Sequence, residues 1–241
     1  MDEAELRDRV RDLRAQGYSP KAIARALGVR PARAAALVRA AAREQAAASP
    51  DASVVGCWVS PGWSAGLAVP EQRGWPDRPG SLGDELGVAN VLVARERRSG
   101  GGMSVCGYLV DTFCLGVKNA LGPWTMDRAE LRRFVACFFD AFDADPVDAP
   151  VELARHLVWG AVEYARGLGF APHPDFGPAA GHLGALDAPS AIGFGRHGRP
   201  FFMQGPYDDA DRVLRTLREH VGEDFEFVVE LDPRDAVGVS S

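Results

Sequence analysis

The chain has 241 residues, 46% of them hydrophobic, and a net charge of −6. This length holds one small module and one ordinary domain, and this composition excludes a disordered or low-complexity chain. The acidic total would argue against a nucleic-acid partner if it were evenly spread, but it is not: residues 1–48 hold ten Lys and Arg against six Asp and Glu, so a net +4 head precedes a net −10 body.

Leu6, Val10 and Leu13 recur at i, i+4 and i+7 and predict a first helix, ended by Gly17. Ser19 suits an N-cap and Pro20 a first helical position, where no amide donor is missed. A short second helix carries Ile23, Ala24 and Leu27, Gly28 supplies a tight turn, and Val29 plugs the core. Pro31 opens a third helix through Val38 and Ala41. Alanines prolong it and Ser49-Pro50 stops it, so a boundary is expected near residue 48, with a linker to Ser53. The sequence thus divides into a head over 1–48, a body over 53–232 and a tail over 233–241.

In the body, Val54 to Val59 reads as a short strand. Residues 60–87 form a long Gly- and Pro-rich loop whose Trp63 and Trp75 suit pins to the core. Val88 to Arg97 and Met103 to Leu115 read as two strands around the turn Ser99-Gly100-Gly101-Gly102. The second is apolar on both faces, which places it inside a sheet. Asp127 caps a helix through Phe142, a second helix runs from Val151 to Leu168, and a third, short one from Asp175 to Leu183. Ile192 to Phe202 reads as a hairpin around His197-Gly198, Asp208 to Val221 as an amphipathic helix, and Phe225 to Leu231 as a last strand. Strands and helices come in blocks without regular βαβ alternation, so the expected fold is an α+β body carrying an N-terminal all-α, tri-helical helix-turn-helix module.

The run Ser19-Pro20-Lys21-Ala22-Ile23-Ala24-Arg25-Ala26-Leu27-Gly28-Val29 resembles the tri-helical helix-turn-helix of resolvases and sigma factors, over about one sixth of the chain. That resemblance implies DNA contact by the third helix, entering the major groove by its N-terminal end. The body is similar to a family of uncharacterised bacterial α+β proteins, on Gly107-Tyr108-Leu109-Val110-Asp111-Thr112-Phe113, on Gly169-Phe170-Ala171-Pro172-His173-Pro174-Asp175-Phe176, and on Phe194-Gly195-Arg196-His197-Gly198-Arg199-Pro200. It implies a domain and no chemistry.

Basic residues on the second and third helices make the candidate DNA contacts: Lys21 and Arg25 for the backbone, Arg30, Arg33 and Arg39 for bases or phosphates. Alanine fills most of the third helix between them, so modest sequence discrimination is expected unless a homodimer adds a second half-site. The expected function is a regulatory DNA-binding protein with a sensing or interaction body, leaning away from an enzyme and needing no cofactor.

Two other readings stand beside it. The first is a metal-dependent hydrolase or nuclease built on Asp111, His156, Glu163 and His173, whose oxygen and imidazole donors suit a divalent metal. Asp111 stands out because it interrupts an apolar run and a buried carboxylate needs a partner, backbone donors and arginine being the ordinary ones. The second is a protein-interaction module without catalysis. The four cysteines, Cys57, Cys106, Cys114 and Cys137, form no CxxC pair, which argues against a zinc ribbon. No run of about 18 apolar residues predicts a membrane span, and the start lacks the features of a signal peptide, so a cytoplasmic location with reduced thiols is expected.

Overall fold

The computed structural model describes residues 6, 9, 10, 13, 20–38, 52–80, 86–97 and 102–229. It is a mixed α+β protein whose largest element is a five-stranded antiparallel sheet. The strands are β1 (Val54–Val59), β2 (Val88–Glu96), β3 (Met103–Asp111), β4 (Gly116–Met126) and β5 (Val147–Asp148), in the order β4-β3-β2-β1-β5. β2 pairs with β3 and β3 with β4 through short connections, as antiparallel strands allow, whereas β1 pairs with β2 across the long segment 60–87. Residues 98–101, where the sequence places the turn between β2 and β3, lie outside the described residues; the two strands pair antiparallel from Val88↔Asp111 to Glu96↔Met103.

Both faces of this sheet are covered, which explains the unbroken apolar runs. One face sends Val59, Val91, Val93, Tyr108 and Val110 against two helices, Val151–Gly167 and Phe176–Leu183. The other sends Leu92, Ala94, Met103 and Val105 against the helix Arg128–Phe138. In chain order these body helices are α2 (128–138), α3 (151–167) and α4 (176–183), α1 being Pro20–Leu27 in the head. Asp127 caps α2 as expected: its carboxylate accepts from the amides of Ala129 and Glu130, and Glu130 reaches back to the Asp127 amide. The helix stops at Phe138 rather than at Phe142.

A smaller unit closes the chain. Strand β6 (Phe201–Met203), helix α5 (Ala210–Val221) and strand β7 (Glu226–Val228) form a parallel βαβ pair. Its core, with Phe202, Leu214, Leu217 and Phe225, packs onto Cys114 in the β3–β4 turn and Leu168 at the end of α3.

Three sequence expectations need correction. The apolar run was expected to continue to Leu115, but β3 ends at Asp111 and a turn leads into β4, which the sequence reading lacks. Gly122 and Pro123 disguise β4: the ladder skips both, passing from Val105↔Trp124 to Gly107↔Leu121, and an edge strand tolerates a bulge and a proline there. The expected hairpin over 192–202 reduces to one bridge, Arg196↔Arg199, around a tight turn with φ of 52° at His197 and 85° at Gly198; β6 then pairs in parallel with β7 instead. Asp175 occupies the N-cap position of α4 without a capping hydrogen bond, because its backbone is already helical.

Candidate nucleic-acid interface

The head starts from an apolar stripe. Leu6, Val10, Ile23, Ala24, Ala34 and Leu37 are buried together, with Leu13, Leu27, Val29 and Val38 packed around them. Positions 6, 9, 10 and 13 are helical, as are α1 and residues 31–38. The Ser19 cap and the helix beyond 38, with Arg39, lie outside the described residues.

The turn between α1 and 31–38 follows from Gly28. Its φ is +64°, a conformation that side-chain-bearing residues resist. In that conformation the Gly28 amide donates to the Arg25 carbonyl at 3.4 Å and the Val29 amide to the Ala24 carbonyl at 3.0 Å. These two bonds make a Schellman ending, which satisfies carbonyls that the helix terminus would otherwise orphan. Val29, just past the turn, packs beside Ala24 in the same cluster, so the turn and the core fix one angle between the helices. The next helix starts with the amides of Arg33 and Ala34 donating to the Arg30 carbonyl, which puts Pro31 in its first turn.

Burying Ala34 and Leu37 turns the opposite side of 31–38 outward. Pro31, Ala32, Arg33 and Ala36 are exposed there, as is Arg30 at its start; Lys21 and Arg25, four residues apart, are exposed on α1. Four of the five expected DNA-contact residues therefore sit on the surface of one small core, within the basic head of the chain.

The residues of the metal reading are placed separately. Asp111 ends β3, and its Oδ1 accepts from the amides of Phe113 and Cys114 at 3.0 and 2.9 Å. Burial pushes its carboxyl up to about 6 despite these donors and nearby Lys118. Lys118 itself pairs with Asp208 at 2.6 Å, not with Asp111. His156 is buried in α3: its Nδ1 accepts from the Ala191 amide at 3.0 Å, and its ring lies 5.1 Å from that of Trp75. Burial, then the Arg73 charge, lowers its pKa, so the ring stays neutral. Glu163 is exposed on the same helix, and the His173 ring accepts weakly from the Asp175 amide at 3.3 Å. Among the described residues no three His, Cys, Asp or Glu side chains come together as metal ligands. Gly160 does permit a close approach, as its lack of a side chain suggests, but the visitor is this chain's own Ser190 and Phe194.

One buried charge escapes the sequence reading. Arg95 is 3% exposed and donates to the carbonyls of Ala52, His182 and Leu183 at 2.7, 2.7 and 3.1 Å. In sequence it stands in the charged second half of the strand Val88 to Arg97. The two-residue period from Val91 and Val93 instead carries Arg95 to the inward face, and that signal was available. Cys57, Cys106 and Cys114 are buried and Cys137 is exposed; burial pushes the Cys57 thiol up to about 12, far from a nucleophile's range.

No protein-family model, no curated protein and no solved structure matches this chain. Among the described residues no helix is long and apolar enough to cross a membrane.

Proposed function

We propose that this chain is a DNA-binding protein, regulatory in role, whose head is a tri-helical helix-turn-helix of the resolvase and sigma-factor kind and whose α+β body serves sensing or interaction. The observation that carries this reading is the turn at Gly28. It joins two short helices over a core of their own and leaves Lys21, Arg25, Arg30 and Arg33 exposed on that unit. The helix beginning at Pro31 enters the major groove, where Arg30 and Arg33 reach bases or phosphates, and Lys21 and Arg25 contact backbone. With alanine at 32, 34, 35 and 36, direct base readout is sparse, so two half-sites bound by a dimer supply most of the discrimination. Neither a metal nor another cofactor is needed for this role, and a cytoplasmic location suits it.

The test uses the full chain and point variants. Arg33→Ala should weaken binding to a duplex library by roughly 5- to 150-fold, the range of one good arginine contact of about 1–3 kcal/mol. Arg215→Ala, on the exposed side of α5 in the body, should leave it within twofold. Each lost phosphate contact should also lower the salt slope of log affinity by about 0.9. Equal effects from both variants, or no retardation of duplex DNA at low salt, would sink the reading.

A further inference from the structure

The two faces of the main sheet are covered unequally. Against α3 and α4, Val91, Val93, Tyr108, Leu153 and Leu157 are fully buried. On the other face α2 stands alone, and Trp58, Met126, Phe134, Val135, Phe138 and Phe142 are only partly buried. Phe134, Phe138, Phe139 and Phe142 run as a chain of ring contacts of 5.1 to 6.4 Å along α2 and the turn after it. Trp124 adds an edge contact to Phe134 at 5.4 Å. Partly covered aromatic edges bordered by charge are what a protein contact can close over.

The charges on the rim are arranged head to tail. At the N-terminal end of α2 the exposed Arg128, Arg132 and Arg133 outnumber the two exposed capping-box carboxylates, Asp127 and Glu130, and Asp140 and Asp145 are exposed just after the other end. Among the described residues none of the three arginines, Asp140 or Asp145 forms an ion pair within the chain. Ala136 and Cys137 are exposed between the two groups. A surface that is basic at one end, acidic at the other and apolar alongside complements itself when a second copy lies antiparallel on it. A two-fold axis makes that match twice over, since residue i then meets j and j meets i.

We propose that α2 is the two-fold contact of a homodimer. The second copy crosses it antiparallel, with the axis between Ala136 and Cys137, Arg133 facing the partner's Asp140, and the exposed edges of Phe134, Phe138 and Phe142 closed between the two subunits. The small side chains at the axis let the helices approach closely. This deepens the reading above by naming the surface through which two heads would be presented to two half-sites. It is tested without DNA, so either idea can fail alone.

The experiment is sedimentation equilibrium on the full chain, with the reversals Arg133→Glu and Asp140→Arg made singly and together. All three keep exposed positions exposed, and unchanged circular-dichroism melts establish that the fold is intact. The wild type should be dimeric. Each single reversal should raise the dimer dissociation constant by about tenfold or more, because like charges then face each other at two symmetric places. The double reversal should restore the dimer. A short bis-maleimide should join two wild-type chains through Cys137, the one exposed thiol of the four, and fail on Cys137→Ser. A monomeric wild type, a dimer indifferent to Arg133→Glu, or a double reversal no better than the singles would overturn the proposal. A monomer that still retards duplex DNA would leave the function standing and remove only this surface.

Discussion

Replacing Asp111 with asparagine and with alanine separates two things a buried carboxylate can do. In the wild type one oxygen receives the amides of Phe113 and Cys114 and so closes the turn on which the C-terminal unit rests. Asparagine keeps an acceptor in that place and alanine does not, while neither carries a charge. Their difference in stability therefore measures the two hydrogen bonds. At about 1–3 kcal/mol for each buried donor left unsatisfied, Asp111→Ala should lie about 2–6 kcal/mol below Asp111→Asn in urea unfolding followed by tryptophan fluorescence. The pH dependence reads out the charge. The folded pKa of about 6 stands above the ordinary 3.8, so between those values the fold binds more protons than the unfolded chain. Stability from this group is then fully present below about pH 4 and lost as pH rises to 6, a loss of about 3 kcal/mol at about 1.4 per pKa unit. Asp111→Asn removes that slope and should be at least as stable as the wild type near pH 7. An asparagine variant as weak as the alanine variant would mean that the negative charge itself holds the turn, and capping of the backbone would be the wrong account.

Two further outcomes follow from the same structure. Gly28→Val forces a β-branched residue to φ +64° with nothing to clash against, so the expected loss of about 1–2 kcal/mol is backbone strain alone; it should lower DNA affinity in a gel shift while the main thermal transition of the body stays in place. Lys118 and Asp208 are 23% and 11% exposed and tie β4 to the loop before α5, so a double-mutant cycle of Lys118→Met and Asp208→Asn in urea should give a coupling of about 1–3 kcal/mol; a value near zero would show the pair to be solvated.

The helices were legible because their signals are local. Asp127 with Glu130 announces a capping box, and Gly28 and Gly169 sit just past helix ends with φ of +64° and +89°. The strands were legible only where the pattern ran unbroken. β2 and β3 were, but β4 contains Gly122 and Pro123, the two residues that punctuate a sequence most strongly, and only its edge position makes them tolerable. The parallel pairing of β6 with β7 depends on a contact across α5, and no period within either three-residue strand carries that information. In the head, Lys21, Arg25, Arg30 and Arg33 were legible as exposed because the buried positions of both helices are spelled out by Ile23, Ala24, Ala34 and Leu37. The candidate metal ligands were chosen for their chemistry, and nothing in their spacing said whether the sheet and α3 would bring them together.

A common rule explains why those candidates look reactive in sequence and are quiet in the fold. The buried polar groups of the body are matched mainly to backbone, not to one another. Asp111 takes two amides of a turn, and His156 takes the amide of Ala191. Tyr108 donates to the Ala179 carbonyl, and Trp159 to that of Gly184. Arg95 and Arg155 both donate to the Leu183 carbonyl at the end of α4, where a helix terminus carries unsatisfied carbonyls and partial negative charge. That arrangement holds Arg95 in the interior without a carboxylate, and through the Ala52 carbonyl it also fixes where the chain enters the body. Several of these residues, Asp111, Arg95 and Arg155 among them, satisfy backbone groups of a turn or a helix end that burial would otherwise leave unpaired. A search for paired side chains then finds the right residue types in the wrong relationship, since their partners are amides and carbonyls that the sequence does not spell. The same rule marks the exceptions: the Asn90 Oδ1, the Tyr164 hydroxyl and the His182 Nδ1 are buried without a hydrogen-bond partner among the described residues.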